Sequence, residues 1–207
     1  MCAGCGRGFA RWPIVSSALR LVKCCSRWHR GMDMGNRKTN VPPVLCVVGK
    51  KRSGKTRFME LLVPELKRRG LCVGTVKHDA HGFDIDHEGK DSWRHRHCGA
   101  DAVCIASPGQ VALVRDVAQE PMPEDLAASF LSHVDIVLTE GYYRSGHPKV
   151  EVHWGGSHEQ PLCAEASSGE RNILALVTDD AVSVSVPRFA ANDAPGVADL
   201  ICGLFGL

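Results

Sequence analysis

The sequence predicts a single α/β domain with a mainly parallel sheet over residues 41–207. Three observations predict this fold class. Short apolar runs rich in β-branched residues alternate with stretches of helical periodicity, polar residues collect just after several of these runs, and one glycine-rich loop lies between a predicted strand and a predicted helix. Strands and helices that alternate in this way form helix-covered parallel sheets, which bind ligands at the carboxyl ends of their strands.

The predicted strands and helices follow one another along the domain. The run VLCVV at 44–48 is short and continuously apolar, as a central parallel strand buried on both faces requires. Residues 56–70 have apolar side chains at helical spacing and end in three cations and a glycine, which is a common helix stop. The other predicted elements are strands at 71–77, 101–107, 110–117, 135–143, 149–154 and 173–180 and helices at 91–100, 124–134 and 196–207.

Three predicted strands depart from a buried parallel arrangement. The strands at 101–107 and 110–117 are separated by Pro108-Gly109, a turn sequence, which predicts an antiparallel pair. The segment KVEVHW at 149–154 alternates polar and apolar residues and predicts an exposed or edge strand. We therefore expect a mainly parallel sheet with an antiparallel edge extension.

The charge is divided unevenly along the chain. Residues 1–40 hold eight Lys and Arg and the single acid Asp33, whereas residues 41–207 hold 17 bases and 22 acids. A mildly acidic domain excludes a broad nucleic-acid-binding surface. No run reaches the roughly 18–20 apolar residues that a membrane helix needs. We therefore expect neither nucleic acid nor a membrane as a partner.

Residues 1–40 predict a basic, cysteine-containing extension ahead of the domain, either disordered or preceding a true start at Met32 or Met34. A targeting segment is the alternative, because transit peptides are also basic and poor in acids. The cysteines of this stretch could instead bind zinc, although the adjacent Cys24 and Cys25 are poorly spaced as ligands. The later cysteines stand mostly in apolar runs, which predicts small buried thiols and a cytoplasmic protein.

The segment GKKRSGKT at 49–56 is the most informative motif. It fits the phosphate-loop pattern G-x-x-x-x-G-K-[ST] and lies between a predicted strand and a predicted helix, as this motif requires. The backbone N–H groups of such a loop surround a phosphate, its lysine reaches the β- and γ-phosphates, and its hydroxyl binds Mg²⁺. A glycine turn with solvated cations is the alternative. The predicted nucleotide-binding residues here are Gly49, Lys50, Lys51, Arg52, Ser53, Gly54, Lys55, Thr56 and Arg57.

Acidic residues after the predicted strands are candidate Mg²⁺ ligands. Glu140 ends the strand IVLTE, and Asp84 and Asp86 lie in the loop after the strand at 71–77. Together with the hydroxyl of Thr56 they form the predicted metal-binding set, because Mg²⁺ prefers oxygen ligands. Solvated surface acids are the alternative for each carboxylate.

Two further groups of residues have roles that the sequence leaves open. The histidines His78, His81 and His87 could line the nucleotide cleft, bind Zn or Ni, or lie on the surface. Asp179 follows a late strand, where a carboxylate could accept hydrogen bonds from N1 and N2 of guanine, donors that adenine lacks. A helix cap or a turn is the alternative for Asp179. The residues alone therefore predict a purine nucleoside triphosphate, with GTP favoured over ATP.

Several of these motifs occur together in a known family. The segments VVGKKRSGKT, VGTVKHDAHGFDIDHEGKDSWR, GADAVCIASP, VLTEGYY and PKVEVH make the chain resemble the molybdopterin-guanine dinucleotide biosynthesis protein B (MobB) family. The resemblance covers roughly residues 43–180 and continues more weakly to the C-terminus. It implies a three-layer P-loop NTPase fold, with Gly49, Gly54, Lys55 and Thr56 in the phosphate loop. Asp84, Asp86 and Glu140 match the acidic positions of the family near the metal.

The resemblance also implies a role. The implied protein is an adapter that binds GTP and Mg²⁺, hydrolyses GTP feebly and acts as a homodimer. Its partner would be the molybdopterin guanylyltransferase, which converts molybdopterin to molybdopterin guanine dinucleotide, and the adapter would handle a molybdopterin-type ligand. The alternative is an enzyme proper on the same frame, a P-loop kinase or a metallochaperone GTPase acting on another small molecule or metal.

Overall fold

The computed structural model describes residues 41–164 and 172–207, so the expectations for residues 1–40 lie outside the described residues. The strands are β1 (Val44–Val48), β2 (Val73–Lys77), β3 (Ala102–Ala106), β4 (Val111–Arg115), β5 (Ile136–Glu140), β6 (Lys149–Val152), β7 (Ile173–Val177) and β8 (Arg188–Phe189). The helices are α1 (Lys55–Arg68), α2 (Asp91–His97), α3 (Pro123–Phe130) and α4 (Ala194–Phe205). Within the described ranges, no helix combines the length and the apolar character needed to cross a membrane.

Six strands form one sheet in the order β2-β5-β1-β6-β7-β8, and every neighbouring pair in it is parallel. The continuously apolar β1 is buried along its whole length and lies between β5 and β6. Because all the strands run in one direction, their carboxyl ends meet along one border of the sheet. We call this border the ligand edge, since parallel sheets bind ligands there.

Helices cover both faces of this sheet. On one face α1 and α4 pack over the strands through the buried side chains of Phe58, Leu62 and Ile201. On the opposite face α3 places Ala127 against Cys46 and its neighbours. The arrangement of helix, sheet and helix confirms the predicted α/β class with its mainly parallel sheet.

The strands β3 and β4 form a two-stranded antiparallel sheet of their own, joined by the predicted Pro108-Gly109 turn. The helix α2 packs against β3. This hairpin presents the apolar side chains of Ile105, Val111 and Leu113 to solvent.

The position of β6 differs from the sequence prediction. Its alternating sequence KVEV predicted an exposed or edge strand, but β6 lies inside the sheet between β1 and β7, and all four residues are buried. Val150 and Val152 face the α1 and α4 layer. Lys149 and Glu151 align with Cys46 and Val48, so they project from the opposite face. The prediction was wrong because the polar face of β6 is covered by polypeptide loops rather than by solvent.

Backbone groups of these loops satisfy the two buried charges of β6. Lys149 Nζ donates hydrogen bonds to the carbonyl oxygens of Ser145 and His147, and burial lowers the pKa of this lysine. The carboxylate of Glu151 accepts hydrogen bonds of 2.6 and 2.8 Å from the first two N–H groups of the 3₁₀ helix Leu162–Ala164. Each charge therefore anchors one loop to the sheet.

The described cysteines differ in exposure, and Cys202 is intermediate. All six in the described residues are free thiols, and Cys46, Cys72 and Cys163 are buried as expected. Burial raises the pKa of Cys163 to about 12, so its reactive thiolate form is suppressed. Cys98 and Cys104 are exposed, contrary to the expectation, because the end of α2 and the β3–β4 hairpin lie outside the core of the main sheet.

Replacing Glu151 tests its anchoring role. Glu151→Ala leaves two buried N–H groups without an acceptor and should lower the free energy of unfolding by about 3 kcal/mol. Glu151→Gln keeps one acceptor oxygen and should cost about 1 kcal/mol. Urea denaturation measures both, with the exposed Glu159→Ala as a control that changes stability by less than about 0.5 kcal/mol. Equal stability of the Glu151→Ala and Glu159→Ala proteins would contradict the anchoring role.

Candidate functional site

The loop between β1 and α1, residues 49–54, turns closely over the ligand edge, and we call it the glycine loop. Gly49 and Arg52 adopt left-handed backbone conformations with φ of 146° and 62°. A Cβ atom on Gly49 would lie 2.2 Å from the carbonyl oxygen of Val152 and 2.6 Å from the hydroxyl of Ser53. The space at this position therefore admits only glycine, as the motif predicts.

The polar groups of the glycine loop converge on its interior. Ser53 is only 3% exposed, and its hydroxyl has no hydrogen-bond partner among the described residues. Lys55 Nζ donates to the carbonyl oxygens of Gly49 at 3.0 Å and Lys50 at 2.8 Å. Burial lowers the pKa of Lys55, while the carboxylate of Glu140 opposes that shift. An anion could pair both with the buried Ser53 hydroxyl and with the Lys55 ammonium, which folds back over the same loop.

Thr56 and Glu140 meet at the ligand edge. Thr56 lies in the first turn of α1, and Glu140 is the last residue of β5. β5 pairs with β1, and Glu140 is the register partner of Val47. The Thr56 hydroxyl lies 3.0 Å from each of the two carboxylate oxygens of Glu140. The structure therefore brings together two of the four predicted metal-binding residues.

Asp84 and Asp86 lie elsewhere. They line a small cavity of about 80 Å³ together with Trp93 of α2 and residues of the β3–β4 hairpin. Across residues 41–164 and 172–207, no three His, Cys, Asp or Glu side chains are grouped so that they could hold a metal ion. Asp84 and Asp86 are thus not assembled with Glu140 in this structure, and their role as metal ligands stays a prediction.

The three histidines after β2 occupy different environments. His78 is half-buried, with Nε2 against the carboxylate of Glu120 and its ring centroid 4.6 Å from that of Tyr142. His81 and His87 are exposed. Of the three, His78 is therefore the one that lines a cleft at the ligand edge.

A segment that the sequence analysis missed braces the glycine loop. Residues 153–160 follow β6, and the ring of His158 donates to the carbonyl oxygen of Lys51 at 2.7 Å. Lys50 Nζ donates to the carbonyl oxygen of Gln160 at 2.9 Å. The stretch WGGSHEQ has no periodicity that could reveal these contacts, because they depend on β6 lying next to β1.

Aspartates link the loops after β7 to neighbouring segments. Asp179 Oδ1 accepts a hydrogen bond from the N–H of Ala191 at 2.9 Å, which joins the loops after β7 and β8. The neighbouring Asp180, which follows the same strand, accepts from the N–H of Gly155 at 2.5 Å and from the hydroxyl of Thr178 at 3.2 Å. The role of Asp179 in reading a purine base stays a prediction.

The residues present fit a nucleotide phosphate and a divalent cation. The Ser53 hydroxyl, which lacks a partner among the described residues, matches a phosphate held by backbone N–H groups. The close approach of Gly49 to Val152 fixes the loop that would supply those groups. The hydroxyl of Thr56 and the carboxylate of Glu140 are oxygen donors suited to Mg²⁺. The predicted residues Lys51, Arg52 and Arg57 have exposed side chains.

Sequence comparison identifies relatives of this chain. The family model for Molybdopterin guanine dinucleotide synthesis protein B matches residues 44–179. The Molybdopterin-guanine dinucleotide biosynthesis adapter protein of Haemophilus influenzae is 31% identical over 163 residues, which cover 78% of this chain and 89% of that protein. The protein of the same name from Escherichia coli is 30% identical over 165 residues, covering 77% of this chain and 91% of that protein.

Solved structures of this family share the fold. The crystal structure of a molybdopterin-guanine biosynthesis protein B superposes with a TM-score of 0.58 at 29% identity and covers 79% of this chain and 99% of that chain. Bacillus subtilis MobB gives a TM-score of 0.58 at 27% identity, covering 78% of this chain and 96% of that chain. From the matched segment, the relatives and the shared α/β P-loop NTPase fold, we conclude that this chain belongs to the molybdopterin guanine dinucleotide synthesis protein B (MobB) family.

Proposed function

We propose that this protein is a GTP-binding adapter in the biosynthesis of molybdopterin guanine dinucleotide, assisting the guanylyltransferase that adds GMP to molybdopterin. Membership of the MobB family and the adapter relatives support the biosynthetic role. The proposal keeps the cytoplasmic location that the cysteines predict and the homodimer that the resemblance implies.

The observation that carries the nucleotide part of the proposal is the interior of the glycine loop. Among the described residues the buried Ser53 hydroxyl has no partner, and it lies directly beside Gly49 in the loop that Lys55 folds over. A buried hydroxyl of this kind costs free energy unless something accepts from it or donates to it. A phosphate group would accept hydrogen bonds from Ser53, from the loop N–H groups and from Lys55 at once.

The residues of the site can be assigned roles on this basis. Lys55 would exchange its two carbonyl acceptors for phosphate oxygens, and the helix α1 would direct its positive N-terminus at the same group. Thr56 and Glu140 would hold Mg²⁺, with Glu140 binding directly or through water. The bound cation would neutralise charge on the phosphates. Asp179 would read the guanine from the end of β7.

Weak hydrolysis is the expected consequence of this arrangement. Hydrolysis requires a group that orients the attacking water. The candidate His78 is already engaged by Glu120 and Tyr142, and His81 is exposed on the following loop. Groups that are not preorganised contribute little to catalysis. We therefore propose that the protein binds and presents GTP and hydrolyses it slowly.

The two enzyme alternatives have less support. A metallochaperone would need a cluster of metal ligands, and the part of the chain that the structure describes contains no such group of three. A kinase would need a second substrate site near the terminal phosphate. The rate of phosphate release from GTP by the isolated protein distinguishes a slow adapter from either enzyme.

Lys55→Ala tests the nucleotide site. The change removes an ammonium that would contact the phosphates, so the Kd for GTP should rise by roughly 100-fold while thermal stability stays nearly unchanged. Calorimetry with GTP, ATP and GDP, with and without Mg²⁺, measures the affinities and the choice of base. The control is Lys67→Ala, which removes the same charge from the far end of α1. A folded Lys55→Ala protein with unchanged GTP affinity would disprove the assignment.

Glu140→Gln tests the cation site. The carboxylate is proposed to act on Mg²⁺, so the change should weaken GTP binding in Mg²⁺ and leave binding in EDTA nearly unaltered. The difference between the two titrations isolates the Mg²⁺-dependent part. Glu60→Gln, an exposed acid on α1, serves as the control. An equal loss in Mg²⁺ and in EDTA would show that Glu140 acts only by positioning Thr56.

The adapter role predicts a slow isolated protein. Steady-state phosphate release from GTP should run far below the median enzyme rate of about 10 s⁻¹. Adding the guanylyltransferase should change phosphate release or increase formation of the dinucleotide, since the partner would order the groups around the terminal phosphate. Rapid multiple turnover by the protein alone would contradict the adapter role and favour an enzyme.

A further inference from the structure

Trp154 lies at the ligand edge, between the two ends of the proposed nucleotide site. It follows β6, and β6 lies between β1 and β7 in the sheet. The glycine loop follows β1, and Asp179, the candidate base reader, follows β7. A nucleotide with its phosphates in the glycine loop and its base near Asp179 must therefore cross the end of β6, where Trp154 lies.

Hydrogen bonds on both sides hold the backbone at Trp154 in this position. On the side of the glycine loop, its carbonyl oxygen accepts from the N–H of His158 at 3.3 Å. The ring of the same histidine donates to the carbonyl oxygen of Lys51 at 2.7 Å. On the side of β7, the N–H of the next residue, Gly155, donates to Asp180 Oδ2 at 2.5 Å. Trp154 is thus connected to the proposed phosphate end and to the proposed base end at once.

The indole ring of Trp154 packs against a pair of glycines. A Cβ atom on Gly156 would lie 2.4 and 2.5 Å from Cζ2 and Cε2 of this ring, so no other residue fits at 156 with the ring in this place. A Cβ atom on Gly155 would lie 2.9 Å from Asp180 Oδ1. The two glycines therefore let a large ring and a carboxylate approach the same short stretch of backbone.

The remainder of the indole ring is open. Trp154 is 56% exposed, and across residues 41–164 and 172–207 no aromatic ring or cation stacks on it. A single exposed apolar side chain is ordinary on a protein surface. Trp154 differs because its backbone is fixed beside the proposed nucleotide site on both sides. An indole held in this way offers a stacking surface to a planar ring.

We propose that Trp154 is the platform on which the purine base of the bound nucleotide stacks. Gly155 and Gly156 position this platform, and the carboxylates after β7 face the edge of the base. The inference rests on the proposed nucleotide function and adds to it a residue that contacts the base rather than the phosphates. Stacking of a base on an aromatic side chain contributes strongly to nucleotide affinity, because the exposed faces of both rings are removed from water.

The experiment compares Trp154→Ala and Trp154→Phe in the full-length protein. Calorimetric titration with GTP and with inorganic tripolyphosphate, both in Mg²⁺, separates the base from the phosphates, because tripolyphosphate has no base. Trp154→Ala should raise the Kd of GTP about tenfold or more and leave the Kd of tripolyphosphate unchanged. Trp154→Phe keeps an aromatic ring and should restore most of the GTP affinity.

Tryptophan emission gives a second readout that does not require the Trp154→Ala protein to fold. A guanine base stacked on an indole should quench its fluorescence, so GTP should quench part of the emission of the wild-type protein. This quenching should disappear in Trp154→Phe and persist in Trp93→Phe, which removes an indole from α2 instead. Quenching by GTP that survives in Trp154→Phe would contradict the platform.

Trp93→Ala is the matched control for affinity, because it removes an indole that stacks on His97 rather than one beside the glycine loop. Its GTP affinity should equal that of the wild-type protein, and thermal unfolding verifies the fold of each variant. The inference fails if Trp154→Ala binds GTP as tightly as Trp93→Ala does, and the proposed nucleotide function then stands. It also fails if Trp154→Ala loses GTP and tripolyphosphate affinity equally, since Trp154 would then act only by supporting the glycine loop.

The wild-type protein separates failure of the platform from failure of the nucleotide function. GTP affinity no greater than that for tripolyphosphate would overturn the platform and leave the phosphate site standing. A wild-type protein that binds neither ligand would overturn the nucleotide function itself, and the platform with it.

Discussion

The contact between the Gly49 backbone and the carbonyl oxygen of Val152 governs the ligand edge. It lets the glycine loop lie directly against the end of β6, with a separation that no side chain at Gly49 would allow. Because the loop is fixed there, Ser53 is enclosed and Lys55 folds over the loop carbonyls. The same constraint places the first turn of α1, and with it Thr56, within reach of Glu140. One backbone approach thus fixes together the groups that we propose bind the phosphate and the cation.

Charge inside the sheet performs a structural task in this fold. Helices can cover apolar strand faces, but a loop brings unpaired N–H and C=O groups that must be satisfied. β6 meets this demand with an acid and a base two residues apart, Glu151 for N–H groups and Lys149 for carbonyl groups. The loops that these residues hold lead to the ligand edge. The 145–147 loop adjoins the cleft lined by His78 and Tyr142, and the segment 153–164 braces the glycine loop.

The sequence predicts local features of this protein well and spatial neighbours poorly. The fold class, the glycine loop and the role of Gly49 follow from residue type and periodicity, which act over a few residues. The interior position of β6 could not be predicted. Its polar and apolar residues alternate because loops cover one face of the strand, and which loops reach that face depends on the strand order. For the same reason the contacts of Asp180 and His158 were missed. Asp84 and Asp86 follow a strand as expected, yet 13 residues separate β2 from α2, and nothing in their pattern fixes the loop between them.

The strand order also has a consequence for how the protein is made. β1 is the first strand of the sheet in the chain, but it pairs with β5 and β6, which begin at Ile136 and Lys149. The glycine loop rests on Val152, about a hundred residues later in the chain. At a synthesis rate of about 5–20 residues per second, the segment that completes this loop is made roughly 5 to 20 s after the loop itself. Until β5 is made, the apolar β1 has no partner strand, so its protection during that time falls to chaperones or to early packing against α1.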